Sequence, residues 1–194
     1  LKENKIEFEI KPRDGAFYGP KIDIHIKDAL GRDWQLATIQ LDLMMLPEKF
    51  DLSYIDEAGK KQKPVVIHRA IFGSFERFIG ILIEHFAGAL PLWLSPVQAR
   101  ILPLSEKFAT YGERIRTAMK QSGIRAEISD ANETLGKRIR EAEMQKTPYV
   151  IVVGEKEVGN GTVNVRHYRR GQEGEMSAEK LLQIIEKEIK EKII

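Results

Sequence analysis

Pro64-Val65-Val66-Ile67-His68-Arg69-Ala70-Ile71-Phe72-Gly73-Ser74-Phe75-Glu76-Arg77 decides how the first half of this chain is read. An apolar run breaks at a glycine and a serine then opens a second apolar pattern, which predicts a strand, a tight junction and a helix from Ser74 to about Gly88. Ser74 suits the N-cap, so Arg77 falls near the third helical position, where unpaired N–H groups and the helix dipole already make the environment positive. A cation there has two readings. In one, Arg77 points to solvent and costs about a few tenths of a kcal/mol. In the other, the junction is a phosphate site, with Gly73 letting a ligand approach the backbone closely.

Working outward from this junction, Lys5–Ile10, Lys21–Lys27 and Trp34–Leu43 read as strands. Ile22, Ile24 and Ile26 alternate with Asp23, His25 and Lys27, which predicts a strand with one buried face. Leu30-Gly31-Arg32-Asp33 is a turn signal and implies an antiparallel pair. The charged stretch Pro47–Lys63 reads as loop, with a turn at Ala58-Gly59. In the helix, Phe75, Ile79, Leu82 and Phe86 fall on one apolar face.

Pro91-Leu92-Trp93-Leu94-Ser95-Pro96 separates two differently patterned halves and predicts domains at 1–93 and 94–194. Beyond it, strands and helices alternate: strand Val97–Leu102, helix Glu106–Ser122 stopped by Gly123, strand Ile124–Ser129 and helix Thr134–Lys146. A continuous apolar run, Tyr149-Val-Ile-Val-Val153, suits a central strand, and Thr162–Tyr168 alternates with Val163, Val165 and His167 on the inward side. Ser177 caps a last helix whose stripe is Leu182, Ile185, Ile189 and Ile193. The order β-α-β-α-β-β-α predicts a mixed sheet covered by helices.

The 194 residues are 42% hydrophobic, enough for a normal core in one large or two small domains. No apolar run is long enough for a membrane span and no basic-then-apolar leader is present, so the chain reads as soluble and cytoplasmic, without a membrane partner. The absence of cysteine removes disulfides, thiol catalysis and the best zinc ligand. Net charge is +2, with +3 in residues 95–194 and −1 before them, an imbalance too small to define a nucleic-acid binder.

The strand, the Gly73-Ser74-Phe75-Glu76-Arg77 junction and the helix resemble motif 3 of the class II aminoacyl-tRNA synthetases. The version with His68-Arg69-Ala70 is similar to that of the threonyl-tRNA synthetases. Gly15-Ala16-Phe17-Tyr18-Gly19-Pro20-Lys21 and Trp34-Gln35-Leu36-Ala37-Thr38-Ile39-Gln40-Leu41-Asp42 agree, so the resemblance covers nearly the whole chain. It implies an α/β (α+β) fold: part of the antiparallel class II sheet, then a mixed-sheet α/β anticodon-binding domain. It also implies an enzyme that activates threonine with ATP and magnesium, transfers it to tRNA(Thr), works as a homodimer and holds zinc.

The resemblance gives Arg77 to ATP and catalysis, Gln35 to catalysis and the threonine pocket, and Tyr18 and Gln40 to that pocket. It makes His68 one of three zinc ligands, the metal taking the amino and hydroxyl groups of threonine and so rejecting valine. Without the resemblance, a lone histidine in an apolar strand is a hydrogen-bonded core residue, and the glutamines are ordinary strand decoration. Gln35 and Gln40 have opposite parity, so both line one site only if a bulge intervenes. For RNA, the resemblance assigns anticodon contacts to Asn132, Glu157 and Arg166, and to Lys146, where the bacterial pattern carries arginine. Asn132 and Arg166 are expected to meet on neighbouring sheet edges. Lys137, Arg138, Arg140, Arg169 and Arg170 read as solvated charges or phosphate contacts.

The other two zinc ligands of the family, a cysteine and a histidine, have no counterpart here, and His25 and His85 read as surface or packing residues. Motifs 1 and 2 are also absent. The resemblance therefore implies a C-terminal fragment, inactive alone and without stoichiometric zinc or ATP–magnesium. Two alternatives stand beside it: a noncatalytic nucleic-acid-binding accessory protein on a synthetase fold, and a sister class II synthetase for proline, glycine or histidine.

Overall fold

The turn after Lys27 organises the first half of the chain. Asp28 accepts hydrogen bonds from the Leu30 and Arg32 N–H groups, both at 2.9 Å, and so folds β1 (Lys21–Lys27) back on β2 (Asp33–Asp42) as an antiparallel pair. A short helix α1 (Met45–Lys49) and a small hairpin follow, β3 (Tyr54–Ile55) and β4 (Lys61–Gln62), with Gly59 at its turn. Strand β5 (Val66–Ala70) then pairs antiparallel with β2, giving the order β1-β2-β5, and α2 (Phe75–His85) leaves the Gly73-Ser74 junction. The computed structural model describes all residues, Leu1–Ile194, as two compact units, Leu1–His85 and Phe86–Ile194. No helix is long and apolar enough to cross a membrane.

Three expectations for the first unit are corrected. Lys5–Ile10 forms no strand, because the three-stranded sheet offers it no ladder and its neighbours make local turns instead. The isoleucine face of β1 is not buried: Ile22 and Ile24 are 47% and 52% exposed, and with Ile39, Leu41 and Ile67 they form an apolar sheet face that nothing in this unit covers. The inward residue of α2 is Ile81, flanked by half-buried Phe78 and Leu82, while Phe75 and Ile79 are exposed. Phe72 stacking on Phe78 at 4.5 Å sets that rotation of the helix.

In the second unit, β6 (Ala99–Pro103) leads through a 3₁₀ turn to α3 (Ala109–Gln121), then β7 (Ala126–Ile128), α4 (Leu135–Met144) and β8 (Tyr149–Val153). Helix α5 (Glu155–Asn160), strands β9 (Thr162–His167) and β10 (Gly171–Ser177), and helix α6 (Ala178–Glu191) complete it. The sheet order is β10-β9-β8-β6-β7, parallel across β7, β6 and β8 and antiparallel beyond, so β8 is central as its apolar run implies. One face packs Ile101, Ile151, Val163 and Val165 with Leu181 and Ile185 of α6, all fully buried, each contributing roughly 1.5–3 kcal/mol. The other face carries Leu102 and Val150 beneath Ala142 of α4.

Helices α3, α4 and α6 stop and start where the sequence places their signals: Gly123 is left-handed, and Thr134 and Ser177 accept from Lys137 N and Lys180 N. Two elements escaped the pattern. Helix α5 is only six residues long, and β10 carries two glycines and no apolar alternation; its pairing with β9 forms it. In α6 the fully buried residues are Leu181 and Ile185, and Ile193 lies exposed beyond the helix end.

Candidate functional site

A bulge in β2 builds the polar face of the first sheet. Ile24 pairs with Ala37 and His25 with Gln35, so Leu36 is the extra residue and its side chain is buried. Gln35 thereby joins the face of Thr38 and Gln40, as its parity required. Asp23 accepts from Gln35 Nε2 at 2.7 Å and Thr38 Oγ1 at 2.6 Å and pairs with Lys21 Nζ at 2.6 Å. Thr38 Oγ1 in turn accepts from Gln40 Nε2 at 3.1 Å, and Gln40 Oε1 accepts from the Tyr18 hydroxyl. The Tyr18 ring lies 5.5 Å from that of His68, the cross-strand partner of Gln40. Tyr18, Gln35, Gln40 and His68 thus share one network.

Two carboxylates that the sequence reading passed over hold this network. Burial pushes the Asp23 carboxyl up, but bonds from Lys21 and Thr38 outweigh it and keep it below the usual range. Asp42 has a fully buried side chain; it accepts from Met45 N at 2.7 Å and from Met44 N and Leu46 N at 3.2 Å, and lies 3.1 Å from His68 Nε2. Burial acts against its charge as well, and His68 and the N–H groups again prevail. An aspartate in mid-sheet runs against strand preference, which is the signal that could have marked Asp23. No group of three or more His, Cys, Asp or Glu side chains is placed to hold a metal ion, whereas catalytic zinc takes three protein ligands. His68 alone does not complete such a set, and its contact with Asp42 through Nε2 leaves the other ring nitrogen for a metal.

Arg77 lies outside this hydrogen-bonded network. Its backbone N–H donates to Ser74 Oγ at 3.3 Å, and its guanidinium carbon is 5.4 Å from the Trp34 ring centroid. Gly73 has φ +64°, and a Cβ there would stand 3.3 Å from Leu36 O, so the strand-to-helix junction is tucked against the bulge.

In the second unit, Val163, Val165 and His167 point inward as expected, and Asn164 and Arg166 share the opposite face with Val150 and Val152. Arg166 Nε pairs with Glu143 Oε1 of α4 at 3.0 Å. A cleft of roughly 370 Å³ opens beside them, lined by Glu143, Thr147, Val150, Arg166, His167 and Tyr168. Farther along that face Glu175 accepts from Lys156, Thr162 and Asn160, which hold it down to about 2.

The other assigned RNA residues are spread out. Asn132 is exposed in the turn after β7, and Arg166 lies on β9, with β6 and β8 between those two strands, so the expected meeting on neighbouring edges does not occur. Glu157 is 8% exposed and its Oε2 accepts from Gly154 N at 2.9 Å, closing the start of α5. Lys146 Nζ donates to Ala87 O at 2.6 Å. Three basic residues read as solvated are instead tied into the fold. Arg138 is 2% exposed and donates to Pro103 O, Arg169 donates to Ala89 O, and Arg170 bridges Tyr149 and Glu188.

Residues 2–86 match the tRNA synthetase class II core domain (G, H, P, S and T), and residues 98–188 match the anticodon binding domain. The chain belongs to the class II aminoacyl-tRNA synthetases, with part of a class II core followed by an anticodon-binding domain. Within that class it is similar over its whole length to threonine–tRNA ligases. It is 53% identical over 192 residues to that of Carboxydothermus hydrogenoformans, covering 99% of this chain and 30% of the relative. With that of Clostridioides difficile it shares 51% over 189 residues, 97% of this chain and 29% of the relative. The chain thus spans about 30% of the length of these relatives. A solved structure, the RNA binding domain of threonyl-tRNA synthetase from Cryptosporidium parvum, superposes with a TM-score of 0.81 at 37% identity, over 96% of this chain and 47% of the other. A prolyl-tRNA synthetase from the same organism shares the fold at TM-score 0.72 and 22% identity, over 93% of this chain and 38% of the other.

Proposed function

We propose that this chain is the segment of a threonyl-tRNA synthetase that forms one wall of the threonine–ATP site and reads the anticodon of tRNA(Thr). The observation that carries the reading is the Leu36 bulge, which brings Gln35 onto the face of Tyr18, Gln40 and His68. That face offers amide and hydroxyl groups to a substrate hydroxyl, held in place by Asp23, whose charge is paired with Lys21. A site built on such bonds rejects an isostere that lacks the hydroxyl far better than packing does, because its own polar groups are then left unpaired. Arg77 serves ATP, whose use with magnesium goes with the class II family. The parent enzyme is a cytoplasmic homodimer that joins threonine to AMP and then to tRNA. Where the parent holds zinc, His68 is the one ligand this segment supplies.

In the second unit, Arg166 reads a base from the open sheet face beside the Glu143 cleft, the usual mode for unstacked RNA bases. Arg140, exposed on α4, is the matched control for a phosphate contact. Binding of the tRNA(Thr) anticodon stem-loop is measured for Arg166→Ala and Arg140→Ala, on cognate and altered anticodons, across a salt series. Arg166→Ala is expected to cost on the order of 1.5–3 kcal/mol on the cognate loop and to erase the preference for it. Equal weakening on every loop, with the preference intact, would show that Arg166 contacts phosphate and refute the base-reading role.

A further inference from the structure

Two arginines lie near the indole of Trp34, and they differ in what else holds them. Arg32, with Cζ 5.8 Å from the ring centroid, is spent within the fold: Nε pairs with Asp28, and Nη2 donates to both Glu84 oxygens at 3.0 and 2.8 Å. Arg77, at 5.4 Å, forms no ion pair and donates none of its guanidinium N–H groups to the protein. The indole is itself fixed. Its Nε1 donates to Asp28 Oδ2 at 2.7 Å, and the Asp28 side chain is fully buried in the β1–β2 turn. A continuous chain of contacts, Glu84–Arg32–Asp28–Trp34–Arg77, therefore runs from the last turn of α2 through the hairpin and back to its first turn.

We propose that Trp34 is the positioning residue for Arg77, a role that rests on the reading of Arg77 as the ATP contact. A guanidinium lying against an aromatic ring is attracted by the ring's negative face while its in-plane donors stay free. The indole holds the group in one orientation before nucleotide arrives, so less side-chain freedom is lost on binding. This also accounts for a cation in the first turn of a helix, where the dipole disfavours it: the ring, and not a carboxylate, keeps it there, leaving its charge for the phosphates or base of the ligand. Asp28 and Arg32 act one step further out by fixing the ring.

The test uses the full-length enzyme carrying this segment and threonine-dependent exchange of pyrophosphate into ATP. Trp34→Leu is expected to raise KM for ATP about three- to tenfold and leave KM for threonine within about twofold. Trp34→Phe, which keeps an aromatic face and loses the bond to Asp28, falls between Trp34→Leu and the parent and serves if the leucine variant does not fold. In an Arg77→Ala background, Trp34→Leu is expected to add nothing, since both act through one interaction. An unchanged KM for ATP in Trp34→Leu, an equal rise in both KM values, or a full additional loss on top of Arg77→Ala would each overturn the platform role while Arg77 keeps its own. If Arg77→Ala alone leaves KM for ATP unchanged, the reading of Arg77 is wrong and the platform falls with it.

Discussion

Replacing Tyr149 by phenylalanine removes one oxygen atom from the most connected point of the second unit. Tyr149 is fully buried at the start of β8; its hydroxyl donates to Glu188 Oε2 of α6 at 2.9 Å and accepts from Arg170 Nη2 at 2.7 Å. Arg170, in the β9–β10 turn, also pairs with Glu188 Oε1 at 2.8 Å and lies 5.6 Å over the Tyr149 ring. The hydroxyl thus closes a ring of contacts joining the central strand, the hairpin turn and the last helix. Phenylalanine keeps the buried ring and its edge contact with His167, and Arg170 still pairs with Glu188, so no charge is orphaned. Only the two charge-assisted bonds are lost, which sets the cost at about 1.5–3 kcal/mol. For a unit of roughly 100 residues that lowers Tm by about 7–14 °C.

Because the chain has two units, a single unfolding transition cannot be assumed. The assay follows Trp93 fluorescence in a Trp34→Phe background, where Trp93, in the second unit, is the remaining tryptophan. A loss below about 0.5 kcal/mol, the range of an ordinary surface change, would refute the claim that the hydroxyl locks β8 to α6.

Two further outcomes follow from other parts of the fold. Gly73→Ala places a side chain on a backbone at φ +64° with Leu36 O 3.3 Å away; it is expected to destabilise the first unit by roughly 1–2 kcal/mol, read by Trp34 fluorescence in denaturant in a Trp93→Phe background. His167 Nδ1 accepts from Arg169 N and Arg170 N, both at 3.2 Å, and burial, with Arg170 next, pushes its pKa below the usual 6.5. The unfolded chain therefore takes up a proton first, so stability is complete above about pH 6.5 and falls as pH drops toward the lower folded-state value. Denaturation midpoints of the Trp93 transition at pH 7.5 and 5 measure the loss, and His167→Gln is expected to flatten it.

Local spacing made much of this fold legible. Ser74, Thr134 and Ser177 cap the helices they precede, Gly123 ends one, and the turn after Lys27 pairs β1 with β2, because each depends on a few adjacent residues satisfying one another's backbone groups. The apolar run at Tyr149 marks the central strand for a similar reason: only a strand covered on both faces tolerates it. The motif residues Tyr18, Gln35, Gln40, His68 and Arg77 could be named from the sequence as well. Their arrangement could not.

Whether Gln35 faces Gln40 turns on one unpaired residue, Leu36, and a bulge is set by how two strands and the Gly73 junction pack against each other. Asp23 and Asp42 emerged as anchors only once residues 15 to 26 positions apart were brought within hydrogen-bond reach. The same holds for Arg138 and Arg170, which composition counts as surface charge and the fold buries or pairs. The sequence by itself determined the strand-to-helix junction, the capped helices and the central strand, since each is written in contacts a few residues apart. Only the tertiary structure decided which faces are covered, where the glutamines point and that Trp34 lies against Arg77, because those depend on the register between segments distant in the chain.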